Sequence, residues 1–379
     1  VRAARVDVDL SAVAHNVRAV REMVAPALVC AVVKADGYGH GAIAVSEAAL
    51  AAGADWLSVA LVEEAAVLRK AGIDAPILLL SQPRSADFPA AVRYDLRITV
   101  TSVAAVEPLA AAARAAGRVA AVHMKVDTGM NRIGVAPADA VTLACAITAR
   151  PELSLEGVFT HCAVADEPDH PFTAEQLARY EAVLAELAAA DIVPALRHAG
   201  NSATAIAHPH GHYDLVRVGI AVYGIAPAPA LAGTVDLRPA LSLRAEVSQV
   251  KRVRAGEGVS YGLRHVVGSD TTVATVPIGY ADGISRRLGL VGGQVLVGGR
   301  RRPIVGVVTM DQLMVDCGDD PVEVGDEVVL IGRQGDEVVT ADEIAARLDT
   351  IPYEIVCGIG PRVPRFYGRG SGSAIGDAP

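Results

Sequence analysis

Aromatic residues are scarce in this chain, with one Trp, four Phe and nine Tyr among 379 residues. The hydrophobic fraction is nevertheless 52%, carried by Ala, Val, Leu and Ile. Long Ala/Leu helices are therefore expected over much of the surface, and the length suffices for one large core plus a second domain. Cys30, Cys145, Cys162, Cys317 and Cys357 are odd in number and far apart, and no Cys-x-x-Cys pair occurs. That spacing suggests neither a zinc site nor a disulfide framework and fits a reducing compartment, the cytoplasm. No run approaches the ~20 apolar residues of a membrane span. Arg18 and Arg21 precede the apolar stretch Met23–Val33, but no clean small-residue cleavage site follows, and Lys34 and Asp36 come next. The stretch reads as an internal strand rather than a signal-peptide core. Net charge is −9, with Lys and Arg scattered rather than massed, which argues against nucleic-acid binding.

What is present is a repeated unit: a short Val/Ile/Leu run, a loop, then an Ala-rich helix. Strands are predicted at Ala27–Ala35, Trp56–Ala60, Pro76–Ser81, Leu96–Val100, Val119–Asp127, Leu155–Ala163, Leu196–Ser202 and Leu215–Gly224. Helices are predicted between them at Ala42–Ala52, Val62–Ala71, Ala104–Ala116, Ala138–Ala149 and Thr173–Ala190. Eight strands alternating with helices are the number that closes a parallel (β/α)8 barrel, and an open doubly wound sheet is the alternative. The runs are apolar throughout, as in a parallel sheet covered on both faces. After Pro239 the texture changes to short β-rich segments separated by glycines: Leu241–Val253, Thr271–Val276, Gln294–Val297, Ile304–Val308 and Glu327–Ile331, with one helix at Ala341–Leu348. The expected division is 1–238 for the barrel and 239–379 for a mainly β domain, to which Arg5–Asp9 is a candidate extra strand. The Gly/Ser-rich tail Gly368–Pro379 reads as loose.

Lys34 ends a buried run, where desolvation favours a neutral, nucleophilic amine. Groups just after barrel strands meet at one face. Strand one supplies Lys34 and Tyr38, strand five Lys125, Asp127 and Arg132, and strand six His161. Strand seven supplies His198, Asn201 and Ser202, and strand eight Arg217 and Gly219. Such a cationic set with hydroxyls and glycine amides suits a phosphate-bearing anion plus a carboxylate. Taken singly, each residue has a plainer reading: His161 as a core histidine, Arg217 as an ion-pair partner, Tyr261 as a packing tyrosine, Asn201 as a loop-shaping residue. His208, His210 and His212 read as a solvated loop rather than metal ligands.

The segments Ala31–Gly41, Lys125–Gly134, Thr160–His161, His198–Ser202, Arg217–Ile220, Val259–Gly262, Met310–Gln312 and Ile351–Glu354 resemble, in order, those of bacterial alanine racemases. The resemblance covers almost the whole chain. It implies a pyridoxal 5'-phosphate barrel with a carboxyl-terminal β domain, in a head-to-tail homodimer where Tyr261, Met310 and Asp311 serve the neighbouring subunit. It implies Lys34 as cofactor anchor and base for the D-isomer, and Tyr261, coupled to His161 and Arg217, as base for the L-isomer. It further implies Arg217 at the pyridine nitrogen, and a phosphate cradle of Tyr38, Ser202, Gly219, Ile220 and Tyr353 with Asn201 beside it. Arg132, Met310 and Asp311 would bind substrate, with Lys125 carbamylated to orient Arg132. The implied reaction is interconversion of L- and D-alanine for peptidoglycan. A broader amino-acid racemase is the runner-up. A non-catalytic cofactor carrier or a barrel decarboxylase would have less use for Tyr261 as a second base. Cys162, Val307 and Thr309 depart from the family pattern without removing a catalytic group, and they leave substrate preference open.

Overall fold

Two compact units share the chain: residues 12–37 with 42–239, and residues 3–11 with 38–41 and 240–368. The structure, a computed structural model, describes residues 3–368.

In the first unit, parallel strands Leu28–Val32, Trp56–Val59, Ile77–Leu79, Leu96–Val100, Ala120–Lys125, Leu153–Phe159, Leu196–His198 and Leu215–Val218 neighbour one another in chain order. The last pairs with the first, Leu28 opposite Leu215 and Ala31 opposite Val218. The seam between the seventh and eighth is bridged by Asp214 N–H to the Arg197 carbonyl (3.0 Å) and Arg217 N–H to the Gly200 carbonyl (2.8 Å). The sheet is thus a closed (β/α)8 barrel, not an open doubly wound sheet. Strands such as Trp56–Val59 and Ile77–Leu79 are buried along their length, which is why their sequences do not alternate. Several strands stop earlier than predicted because the chain must turn at the rim. After His198, Asn201 Oδ1 accepts the Thr204 N–H at 2.9 Å and caps the helix Ser202–Ala207. After Val218, the chain passes into the 3-10 turn Ile220–Tyr223. A helix that the repeat pattern does not announce, Leu10–Val24, buries Val13, Val17, Val20 and Val24 along one stripe.

The second unit contains a sheet ordered Arg300–Pro303, Gln294–Val297, Glu327–Gln334, Leu241–Glu246, Arg5–Asp9 and Arg365–Gly368. Arg5–Asp9 lies between an antiparallel neighbour, Leu241–Glu246, and a parallel one, Arg365–Gly368. A second sheet holds Gln249–Val253, Thr271–Val276 and Leu313–Gly318. The predicted single strand Leu241–Val253 is therefore two strands in different sheets. Ile304–Val308 is buried but is not a strand, and only Ile304 forms an isolated bridge, to Val315. Gly306 explains this: its φ is +70°, and a Cβ there would meet the Val259 carbonyl oxygen at 2.6 Å. All but the first residue of the tail Gly368–Pro379 lies outside the described residues.

Candidate active site

Lys34 follows the first barrel strand and opens a left-handed turn. Ala35, Asp36, Gly37, Tyr38 and Gly39 have φ of 51°, 50°, 60°, 53° and 79°. Each of the three non-glycine residues costs about 1–2 kcal/mol in that region. The turn is held by Gly37 N–H to the Val33 carbonyl at 2.9 Å, Ala35 N–H to Glu64 Oε1 at 2.7 Å and Ala42 N–H to Asp36 Oδ1 at 2.8 Å. Such strain is kept where surrounding contacts over-determine it, and here it fixes where the lysine leaves the strand.

Around the same rim stand Lys125, at the end of the fifth strand, His161, just past the sixth, and Arg217, on the eighth. Arg217 is 2% exposed. Its Nη2 donates to the Thr160 carbonyl (2.8 Å) and the Ala199 carbonyl (3.0 Å), lies 3.4 Å from His161 Nδ1, and its Nη1 meets His198 Nδ1 at 2.8 Å. Burial lowers its pKa to about 10. Burial first, then the charges of Arg217, Lys125, Arg132 and Lys34, holds His161 well below the ordinary histidine range. Lys125 donates to the Leu80 carbonyl at 3.3 Å. Its pKa falls to about 8, through burial first and then Arg217 and Arg132.

The acids beside these cations are spent on backbone. Asp127 Oδ1 accepts the amides of Gly129 (3.0 Å) and Asn131 (2.9 Å), and its Oδ2 accepts that of Arg132 (3.0 Å). Glu64 accepts the amides of Ala35, Ala60 and Leu61. The loop carrying Arg132 is thereby folded around Asp127, and Arg132 is exposed. Ser202 Oγ accepts the Gly219 amide at 2.9 Å and approaches the Ala221 amide at 3.5 Å, which joins the ends of strands seven and eight. A lysine amine, three further cationic side chains, a serine hydroxyl and backbone amides, with their carboxylates otherwise engaged, fit an anionic phosphate-bearing cofactor with a carbonyl that an amine can attack.

Asn201 and Ile220 belong to the barrel unit, and Tyr38, Tyr261, Met310, Asp311 and Tyr353 to the second unit. Tyr38 is buried there, its ring 6.0 Å from that of Tyr353, and burial raises its pKa. Met310 and Asp311 lie in a tight turn in which Thr309 N–H donates to the Gln312 carbonyl at 2.8 Å. Arg362 Nη2 donates to Asp311 at 2.7 Å, with its Nε 3.4 Å from buried Asp282. Tyr261 occupies the turn joining Gly258–Val259 to His265–Val266, and it is 72% exposed.

Two supports escape the motif reading. Gln176 is fully buried: its Oε1 accepts the Ala163 amide at 2.7 Å, and its Nε2 donates to the His161 carbonyl at 3.1 Å and to Thr128 Oγ1 at 3.2 Å. Its signal is a lone amide on the apolar stripe Thr173, Gln176, Tyr180, Val183, Leu187. His123 sits two residues before Lys125 and so shares its strand face. Among the described residues no group of three or more His, Cys, Asp or Glu is placed to hold a metal ion, and no helix is long and apolar enough to cross a membrane.

A closed barrel with basic side chains at the carboxyl ends of its strands, continued by a β-rich domain, defines a two-domain barrel enzyme. Two family models match in tandem: "Alanine racemase, N-terminal domain" over residues 8–227 and "Alanine racemase, C-terminal domain" over residues 240–367. An alanine racemase of Symbiobacterium thermophilum is 53% identical over 363 residues, covering 96% of each chain. The crystal structure of alanine racemase from D-cycloserine-producing Streptomyces lavendulae has a TM-score of 0.93 at 42% identity, covering 98% of each chain. A histidine racemase from Leuconostoc mesenteroides has a TM-score of 0.89 at 29% identity, covering 97% of this chain and 98% of its own. The chain belongs to the alanine racemase family and is a racemase.

Proposed function

We propose that the protein interconverts L- and D-alanine with pyridoxal 5'-phosphate, as a cytoplasmic homodimer supplying D-alanine for peptidoglycan. The observation that carries the cofactor assignment is Arg217: a buried guanidinium that meets the Thr160 and Ala199 carbonyls and the His198 and His161 imidazoles, a donor-only group suited to an unprotonated ring nitrogen. None of the five cysteines forms a disulfide, which supports a reducing compartment.

Pyridoxal phosphate, when bound through Lys34, would withdraw electrons from the substrate Cα and loosen its proton. The protein's part is geometric. Lys34 takes or returns that proton on one face of the substrate carbon, and Tyr261 of the partner subunit does so on the other. Arg132 binds the substrate carboxylate, with the Met310 amide and Asp311 of the partner subunit alongside. Tyr38, Ser202, Gly219, Ile220 and Tyr353 hold the phosphate, while Asn201 shapes the loop that presents Ser202. His161 and Arg217 set the field around the phenol.

Lys125 completes the scheme as a carbamate. With its pKa near 8, a usable fraction of the amine is neutral at pH 7. The nitrogen adds to carbon dioxide, forming an N–C bond and releasing one proton, and the resulting anion pairs with Arg132. Protein equilibrated with 13C-bicarbonate should show one carbamate carbonyl resonance that Lys125→Met removes. Its absence in the wild type would leave Arg132 oriented by Asp127 and its loop alone.

A second reading, a racemase of wider scope, is favoured by the histidine racemase of the same fold. Racemisation of alanine, serine, histidine, arginine and lysine should be compared side by side. Alanine is expected to lead in kcat/KM by about 100-fold, the range one pocket gains by excluding larger side chains. Equal or faster turnover of the basic amino acids would overturn the alanine assignment.

A further inference from the structure

Arg217 is the head of a buried chain that the reaction scheme leaves unused. Its Nη1 lies 2.8 Å from His198 Nδ1, His198 Nε2 lies 2.8 Å from His123 Nδ1, and His123 Nε2 lies 3.0 Å from Glu156 Oε2. The direction of every proton in it is forced. A guanidinium only donates, so His198 accepts at Nδ1 and carries its proton on Nε2. His123 must then accept at Nδ1, and its own Nε2–H points at the carboxylate. Any other pair of neutral tautomers would set two lone pairs or two N–H groups against each other.

The backbone is built to permit this. The pairing of strands Ala120–Lys125 and Leu153–Phe159 runs Val122 to Leu155 and then His123 to Gly157, so Glu156 is the extra residue of a bulge. Bulges re-aim side chains, and this one turns the carboxylate toward His123. The next residue has to be glycine, because a Cβ at Gly157 would meet the His123 ring at 2.5 Å. Both imidazoles are fully buried. His198 stacks on Phe159 with centroids 4.6 Å apart, and His123 stands edge-on to Trp56 at 5.5 Å. At the outer end Arg97 Nε is 3.4 Å from the same Glu156 oxygen, and the Glu156 side chain is 25% exposed.

We propose that Glu156 is a positioning residue for Arg217: it terminates a one-way chain of hydrogen bonds through His123 and His198 and so fixes the plane of the guanidinium through two buried imidazoles. Its kinetic consequence rests on the racemase reading, whereas its structural content does not. In 15N-histidine-labelled, cofactor-free protein, His123 and His198 should each give the signature of a single Nε2–H tautomer. Glu156→Leu strands the His123 Nε2–H without an acceptor, so the ring should break from His198, mixing the His123 tautomers and lowering kcat about ten-fold with KM within two-fold, as expected of a displaced guanidinium. Glu156→Gln keeps an acceptor oxygen and should restore the tautomer and most of the turnover. An Nδ1–H form of either histidine in the wild type overturns the proposal, and that measurement needs no variant to fold. So does unchanged kcat in Glu156→Leu beside a lowered melting temperature, which would make the chain purely structural. Failure of the alanine assignment would instead leave the tautomers as described and remove the turnover from every variant alike.

Discussion

Lys34→Ala is expected to abolish racemisation in both directions, by about four orders of magnitude or more, since it removes a covalent anchor and a proton-transfer group together. Borohydride reduction of the wild type should leave the cofactor on the peptide containing Lys34, and the variant should carry none there. The fold should survive. Lys34 is only half-buried, and the turn behind it is held by main-chain donors and by Glu64 and Asp36. Turnover within ten-fold of wild type would remove Lys34 from the chemistry altogether.

Tyr261→Phe deletes one oxygen. The ring itself is kept, so little packing is lost, and the melting temperature should hardly move. Conversion of L-alanine should fall about 1,000-fold, within the range for losing a positioned base. Solvent deuterium should still enter Cα from the D-isomer, through the face served by Lys34. Cofactor absorbance should be unchanged. Equal loss of exchange from both isomers would show that one group serves both faces, and unchanged turnover would exclude the phenol.

The barrel was legible because covered strands leave a simple trace. Ile77–Leu79 and Leu96–Val100 are short apolar runs between turn signals, and eight of them in series with helices constrain the topology strongly. Strand ends were less legible, because their limits are set by caps such as Asn201 Oδ1 on Thr204 N–H. In the β domain, composition misleads in both directions. Ile304–Val308 looks like a strand and is buried, yet Gly306 lets the backbone press against Val259 instead of pairing. Arg300–Pro303, three arginines and a proline, is an edge strand that no apolar pattern would reveal. Among the site residues, Lys34, Lys125 and Arg217 announce themselves as charges at the ends of apolar runs, the more so where lysine is rare: four in the chain. Gln176, His123 and Glu156 do not. Their meaning lies in hydrogen bonds to residues 13 to 75 positions away, and nothing local in the sequence encodes those partners.

The placement of Arg5–Asp9 has a consequence for biosynthesis. This strand is synthesised before either of its two neighbours, which end at Glu246 and Gly368. At about 5–20 residues per second, roughly 20–70 s pass before its parallel partner exists. Throughout that interval the nascent chain exposes an unmatched edge while the barrel behind it is being assembled. A β domain expressed from Ala240 onward would lack an inner rib of its own sheet, so the two units are not interchangeable cassettes that a single cut in the gene can separate.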